Sequence, residues 1–143
     1  MRPVPVFQDA DEVYKYIGGL FQQLREDPDL VARFRTADTI FQYVYSNPDA
    51  RITIVMREGG GGRVDCGDTD LEPEVVMSME ADLAHRFWMG QVNVTVALAR
   101  GEIRAKGPVA KILKLVPLMK PVFPRYRQLL ADKGREDLLE SHV

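Results

Sequence analysis

The 143-residue chain has one cysteine, one tryptophan, two histidines and no long apolar run, and each scarcity excludes something. A lone thiol, Cys66, can neither close an intramolecular disulfide nor build a cysteine metal cluster. No stretch approaches the ~20 apolar residues of a membrane-spanning helix. The first residues, MRPVPVFQDADEV, put prolines and acids where a secretory leader needs an apolar segment, so none is expected. The final Ser-His-Val is not a peroxisomal address. A reducing, cytoplasmic compartment is the expectation.

Catalytic signatures are equally thin. His85 sits on the polar side of a helical segment with no His, Cys or acid recurring at metal-ligand spacing, so it reads as a surface histidine. His142 lies in a charged tail expected to fray after residue 134. Ser46 and Ser78 lack a Gly-x-Ser-x-Gly elbow. The glycines at 59–62 are followed by Arg-Val where a phosphate loop has Lys-Ser or Lys-Thr, so they read as a hairpin loop. Cys66 lies beside acidic residues, which raise a thiol's pKa, and reads as inert. No catalytic residue, metal or cofactor is expected.

What the chain does have is apolar material beside positive charge. Apolar residues make up 45%, enough for a single domain over residues 1–143 with a core of its own. Residues 91–135 hold ten Lys or Arg against two acids. The net charge is −2, so the rest of the chain is strongly acidic. Such asymmetry fits an anionic partner for the basic part, or simply a solvated face balanced by acidic neighbours. Around these cations the apolar residues are Val, Leu, Ile and Met, with only Phe123 and Tyr126 to stack on bases, so no nucleic acid is expected. An amphiphile with an anionic head, or an anionic membrane surface, fits better.

Periodicity orders the elements. Val13, Tyr16, Ile17, Leu20, Phe21 and Leu24 form one helical stripe behind a candidate Asp9 cap, and Gly18-Gly19 mark a close approach or bend. Asp27-Pro28 opens a second helix. Segments 39–46 and 51–57 are β-branched and aromatic around a Ser-Asn-Pro-Asp turn, which predicts a hairpin; RVDCG and 73–79 are further strands. EADLAHRFWMG is helical, with Gly90 as C-cap. Segment 93–100 fits either a strand, from Val92, Val94, Val96 and Leu98, or a helix capped by Asn93. A short strand, EIRAKG, and a helix opened by Pro108 follow, and Pro117, Pro121 and Pro124 are expected to prevent one long helix before a last one near 124–133. The order of helices, hairpins and helices makes this an α+β domain.

Residues 74–126, EVVMSMEADLAHRFWMGQVNVTVALARGEIRAKGPVAKILKLVPLMKPVFPRY, resemble the C-terminal two-thirds of the sterol carrier protein type 2 family. Glu74, Gly90, Ala97, Gly101 and Gly107 fall at the family's places, whereas Glu80 stands where a better helix cap is common. The resemblance implies that 93–100 is helical. It also implies a sheet of about five mostly antiparallel strands, covered on one face by helices, with an apolar tunnel between them for a fatty acyl chain, an acyl-CoA or a sterol. Phe87, Trp88, Ile103, Ile112, Leu115, Leu118, Met119 and Phe123 are the candidate tunnel residues, and Lys106, Lys111, Lys114 and Lys120 the candidate head-group contacts. The proline-broken segment 117–124 is a candidate movable flap. The function expected is non-catalytic lipid carriage. The alternatives are an interaction or dimerisation module with a vestigial cavity and, more remotely, an acyl-CoA-processing enzyme.

Overall fold

The computed structural model describes residues 5–57 and 62–139. The glycine loop apart from Gly62, and His142, lie outside them. The Asp9 carboxylate accepts from the Glu12 N–H at 2.9 Å and starts α1 (Ala10–Val13), which runs through a π-turn (Tyr14–Gly18) into α2 (Gly19–Leu24). The close approach expected at the Gly-Gly pair is real: a Cβ on Gly18 would stand 2.9 Å from Cys66 Sγ. Helix α3 (Pro28–Arg35) opens with Pro28 in its first turn and the Asp27 carboxylate accepting from the N–H groups of Asp29 and Leu30.

Strands β1 (Thr39–Ser46), β2 (Ala50–Met56), β3 (Val64–Cys66), β4 (Val75–Glu80) and β5 (Arg104–Lys106) form one sheet in the order β3-β2-β1-β4-β5. All neighbours are antiparallel except β1 and β4, which run parallel. Register puts Ile52, Tyr43 and Met77 in one cross-strand row and Val64, Ile54, Phe41 and Val75 in the next. These side chains share one face because residues directly opposite on paired strands point the same way. All seven are buried, and this is the face on which the helices pack.

Helix α4 (Ala81–Trp88) follows β4 without a loop, and the Glu80 side chain makes no capping bond to it. Gly90, at φ +81°, ends it: the Gln91 N–H reaches the Arg86 carbonyl at 2.9 Å. The ambiguous segment is helical, as the resemblance implied. Helix α5 (Val94–Ala99) is capped by Asn93, whose side-chain oxygen accepts from the Val96 N–H at 3.2 Å, and it buries Val94 and Ala97.

One expectation holds only in part here and another fails. Helix α6 (Val109–Met119) runs straight through Pro117. Leu113, whose carbonyl loses its partner to that proline, is exposed, so water can replace the bond. Pro121 and Pro124 stand in the first turns of a 3-10 segment (Lys120–Val122) and of α7 (Phe123–Asp132), where a missing N–H costs nothing. The 3-10 segment breaks what would be one long helix, as expected, and the last helix lies where it was expected, but the segment 117–124 is helical and not irregular. The tail does not fray at 134: the 3-10 turn Glu136–Leu139 buries Leu138, and the Arg135 N–H donates to the Leu130 carbonyl at 2.8 Å.

Candidate functional site

Between α2, α3 and the inner face of the sheet lies an aromatic cluster. Phe21 stacks on Tyr43 (ring centroids 5.6 Å apart) and meets Trp88 edge-on (5.3 Å); Tyr43 stacks on Tyr45 (5.8 Å). Trp88 reaches this position because α4 leads directly off β4 and carries it at its last residue. Beside the cluster is a cavity of about 50 Å³. Its walls are Phe21, Leu24, Tyr43, Ile54, Met56, Trp88 and Met119, and the cations on its lining are Arg25 and Arg35. Val31 and Phe34, from α3, also border it. The lining is almost wholly apolar, with the exposed residues Arg25 and Arg35 bordering it.

Of the residues expected in a tunnel, Trp88 and Met119 line this cavity. Phe87 and Phe123 stand behind Trp88, with ring centroids 4.8 and 6.4 Å from it. Ile103, Ile112 and Leu115 are buried in the core away from the lining, and Leu118 is half-buried against that core. The four lysines do not border the cavity. Lys106, Lys114 and Lys120 are exposed. Lys111 is a clamp instead: its Nζ donates to the Asp38 carbonyl and to Glu74 Oε1, each at 2.6 Å, joining α6 to the ends of the strands. Arg25 and Arg35 were not singled out from the sequence. The signal available was their position after two apolar stripes, which many surface arginines share.

His85 is not a surface residue; it is 5% exposed. Its Nε2 faces the Leu138 carbonyl at 3.2 Å and its Nδ1 the Tyr126 hydroxyl at 2.7 Å, with Phe7 packed edge-on. The 3-10 turn that the tail was not expected to form is what covers it. Among the described residues no group of three or more His, Cys, Asp or Glu is placed to hold a metal ion. Burial, and then the Asp65 charge, push the Cys66 thiol above its ordinary pKa, the direction that disfavours a nucleophile. Among the described residues no helix is long and apolar enough to cross a membrane.

Comparison with known proteins agrees with this fold. Hydroxysteroid dehydrogenase-like protein 2 of Mus musculus is 29% identical over 85 residues, 59% of this chain but only 17% of that protein. The matched stretch is thus about a sixth of the relative's length. The solution structure of the sterol carrier protein domain 2 of Helicoverpa armigera superposes with a TM-score of 0.62 at 22% identity, covering 79% of this chain and 89% of that one. Sterol Carrier Protein 2 from Yarrowia lipolytica, in its apo form, superposes with a TM-score of 0.64 at 14% identity, covering 83% and 96%. At these identities the likeness is one of fold. Residues 20–120 match the model of the SCP-2 sterol transfer family, most of the chain including both walls of the cavity, and the chain belongs to that family as a lipid-binding carrier domain.

Proposed function

We propose that the cavity bordered by Phe21, Tyr43, Trp88 and Met119 is the ligand site, and that the cargo is an amphiphile with an acyl or sterol-like body and an anionic head. The observation that carries this reading is an apolar cavity between helices and sheet with Arg25 and Arg35 on its border. The body enters between α2–α3 and the sheet, and the head stays at the guanidinium groups, which suit carboxylate and phosphate oxygens.

At about 50 Å³ the cavity is far below the roughly 300–1,000 Å³ of ligand pockets, so loading requires side chains to move. Met56 and Met119 on the wall are suited to this, because an unbranched thioether repacks with little cost. Each methylene taken from water contributes about 0.8 kcal/mol, so ten supply roughly 8 kcal/mol gross. Ordering and reorganisation consume much of that, leaving affinity on the order of micromolar. No catalytic step is required, and the engagement of His85 by Tyr126 and Leu138 is in keeping with carriage alone. The exposed Lys106, Lys114 and Lys120 are available to an anionic membrane surface during exchange.

The test is native mass spectrometry of the purified protein with extraction and identification of what it carries, followed by titration with hexadecanoate and its CoA ester. A one-to-one lipid adduct is expected. An apo protein that ignores both added ligands overturns the reading in favour of an interaction module.

A further inference from the structure

Three buried polar atoms cluster at one place without a hydrogen bond of normal geometry among the described residues: the Tyr43 hydroxyl, the Tyr45 hydroxyl and the Trp88 indole N–H, the last of which is turned toward the Tyr45 oxygen. The three residues are 1%, 2% and 2% exposed. Tyr43 stacks on Tyr45 and meets Trp88 edge-on at 6.3 Å, and both Tyr43 and Trp88 line the cavity. Buried polar groups are nearly always paired, and a phenylalanine at either tyrosine would fill the same space with no forfeited hydrogen bond. With the indole turned to Tyr45, the two phenol hydroxyls beside one apolar cavity are a recognition pair lacking its partner.

Their chemistry defines that partner. Burial drives both phenols well above their ordinary pKa, so they remain neutral O–H groups able to donate and accept, and the indole only donates. The cations on the lining, Arg25 and Arg35, are exposed, so nothing charged stands with the buried trio to offset an ion. A neutral oxygen, hydroxyl or keto, satisfies the pair; a carboxylate does not.

Building on the carrier reading, we propose that the preferred cargo carries a second polar group: an acyl chain with its anionic head at Arg25 and Arg35 and a hydroxyl or keto oxygen farther along the chain, bonded by Tyr43 and Tyr45, with the Trp88 indole behind Tyr45. The protein then selects oxygenated chains over plain ones, because a plain chain leaves the two phenol hydroxyls buried against methylenes.

Trp88, the single tryptophan, reports on binding directly. Its emission is titrated with hexadecanoate and with a set of its hydroxylated isomers, from mid-chain to the terminal carbon. In the wild-type protein at least one isomer is expected to bind about tenfold more tightly than hexadecanoate, the equivalent of one good buried hydrogen bond. The Tyr43→Phe/Tyr45→Phe double variant, checked for a native melting transition, is expected to lose that preference, so that the ratio of the best isomer's affinity to that of hexadecanoate falls to about one whatever happens to the affinities themselves; each single variant serves should the double one not fold. The proposal is overturned if plain hexadecanoate binds at least as tightly as every isomer, or if the preference survives both substitutions. Failure of every ligand, plain and hydroxylated alike, overturns the carrier reading itself and is distinguishable from a lack of selectivity.

Discussion

His85 and Tyr126, 41 residues apart in sequence, meet at 2.7 Å through Nδ1 and the phenol oxygen inside the core. A carbonyl can only accept, so the ring nitrogen facing Leu138 carries a proton, and a neutral ring then accepts from the Tyr126 hydroxyl. The bond ties α4 to α7, and the second nitrogen holds the 3-10 turn over both. Replacing Tyr126 by Phe leaves a buried imidazole nitrogen without this partner, which costs about 1–3 kcal/mol. Chemical denaturation of the variant checks it, with lipid affinity unchanged because neither residue lines the cavity.

Gly107, at φ +105°, has no room for a side chain: a Cβ there would stand 2.3 Å from the Glu74 carbonyl oxygen. Because that atom is backbone of the adjoining strand region, relief means prying β5 from β4. Gly107→Ala is therefore expected to cost about 3 kcal/mol or more, in the range of mutations that combine strain with lost pairing. Gly101 has φ +76° but nothing within 4 Å of its added Cβ, so Gly101→Ala carries only the left-handed backbone cost of about 1–2 kcal/mol. Thermal melts of the pair separate collision from conformation.

How legible the chain was follows from the range of each interaction. The Asp9, Asp27 and Asn93 caps, the hairpin and the glycine closures are local, fixed by residues two to four apart, and were readable. Helix α5 was not decided by its alternating valines; the family resemblance named it a helix, and the burial of Val94 and Ala97 between two caps explains why. His85 was misread because its cover, Tyr126 and the turn around Leu138, lies 41 and 53 residues downstream. Pro117 was misread because a missing N–H is costly only where the orphaned carbonyl is buried, and Leu113 is exposed. At the site, apolar stripes identified what is buried but not which buried residues border a cavity. Trp88 and Met119 do; Ile103, Ile112 and Leu115 fill core.

The Lys111–Glu74 clamp sets an acid limit. The Lys111 ammonium beside it holds the Glu74 carboxyl below the usual carboxylate range. The folded-state pKa is thus depressed relative to the unfolded one, so the stabilisation is present above the unfolded glutamate pKa and is lost as pH falls through the folded value. Asp27, held low by the Leu30 N–H at the start of α3, follows the same sign. Stability is expected to decline as pH falls below the ordinary carboxylate range, and Glu74→Gln is expected to flatten part of that decline while lowering stability at neutral pH. Denaturation midpoints across an acid series measure both.

Cations on the cavity lining and cations elsewhere make opposite predictions for binding. Arg25 and Arg35 border the cavity, whereas Lys106, Lys114 and Lys120 stand apart from it and Lys111 is held by Glu74. Exposed ion pairs are individually weak, so Arg25→Gln/Arg35→Gln is expected to weaken hexadecanoate binding by about three- to tenfold, with less effect at high salt. Replacing Lys106, Lys114 and Lys120 together by Gln is expected to leave that affinity alone and to slow transfer from anionic vesicles only. Trp88 emission reads the first quantity and vesicle-transfer rates the second. If the lysine triple variant loses hexadecanoate affinity and the arginine pair does not, the head group lies on the α6 side and the assignment of the mouth is wrong.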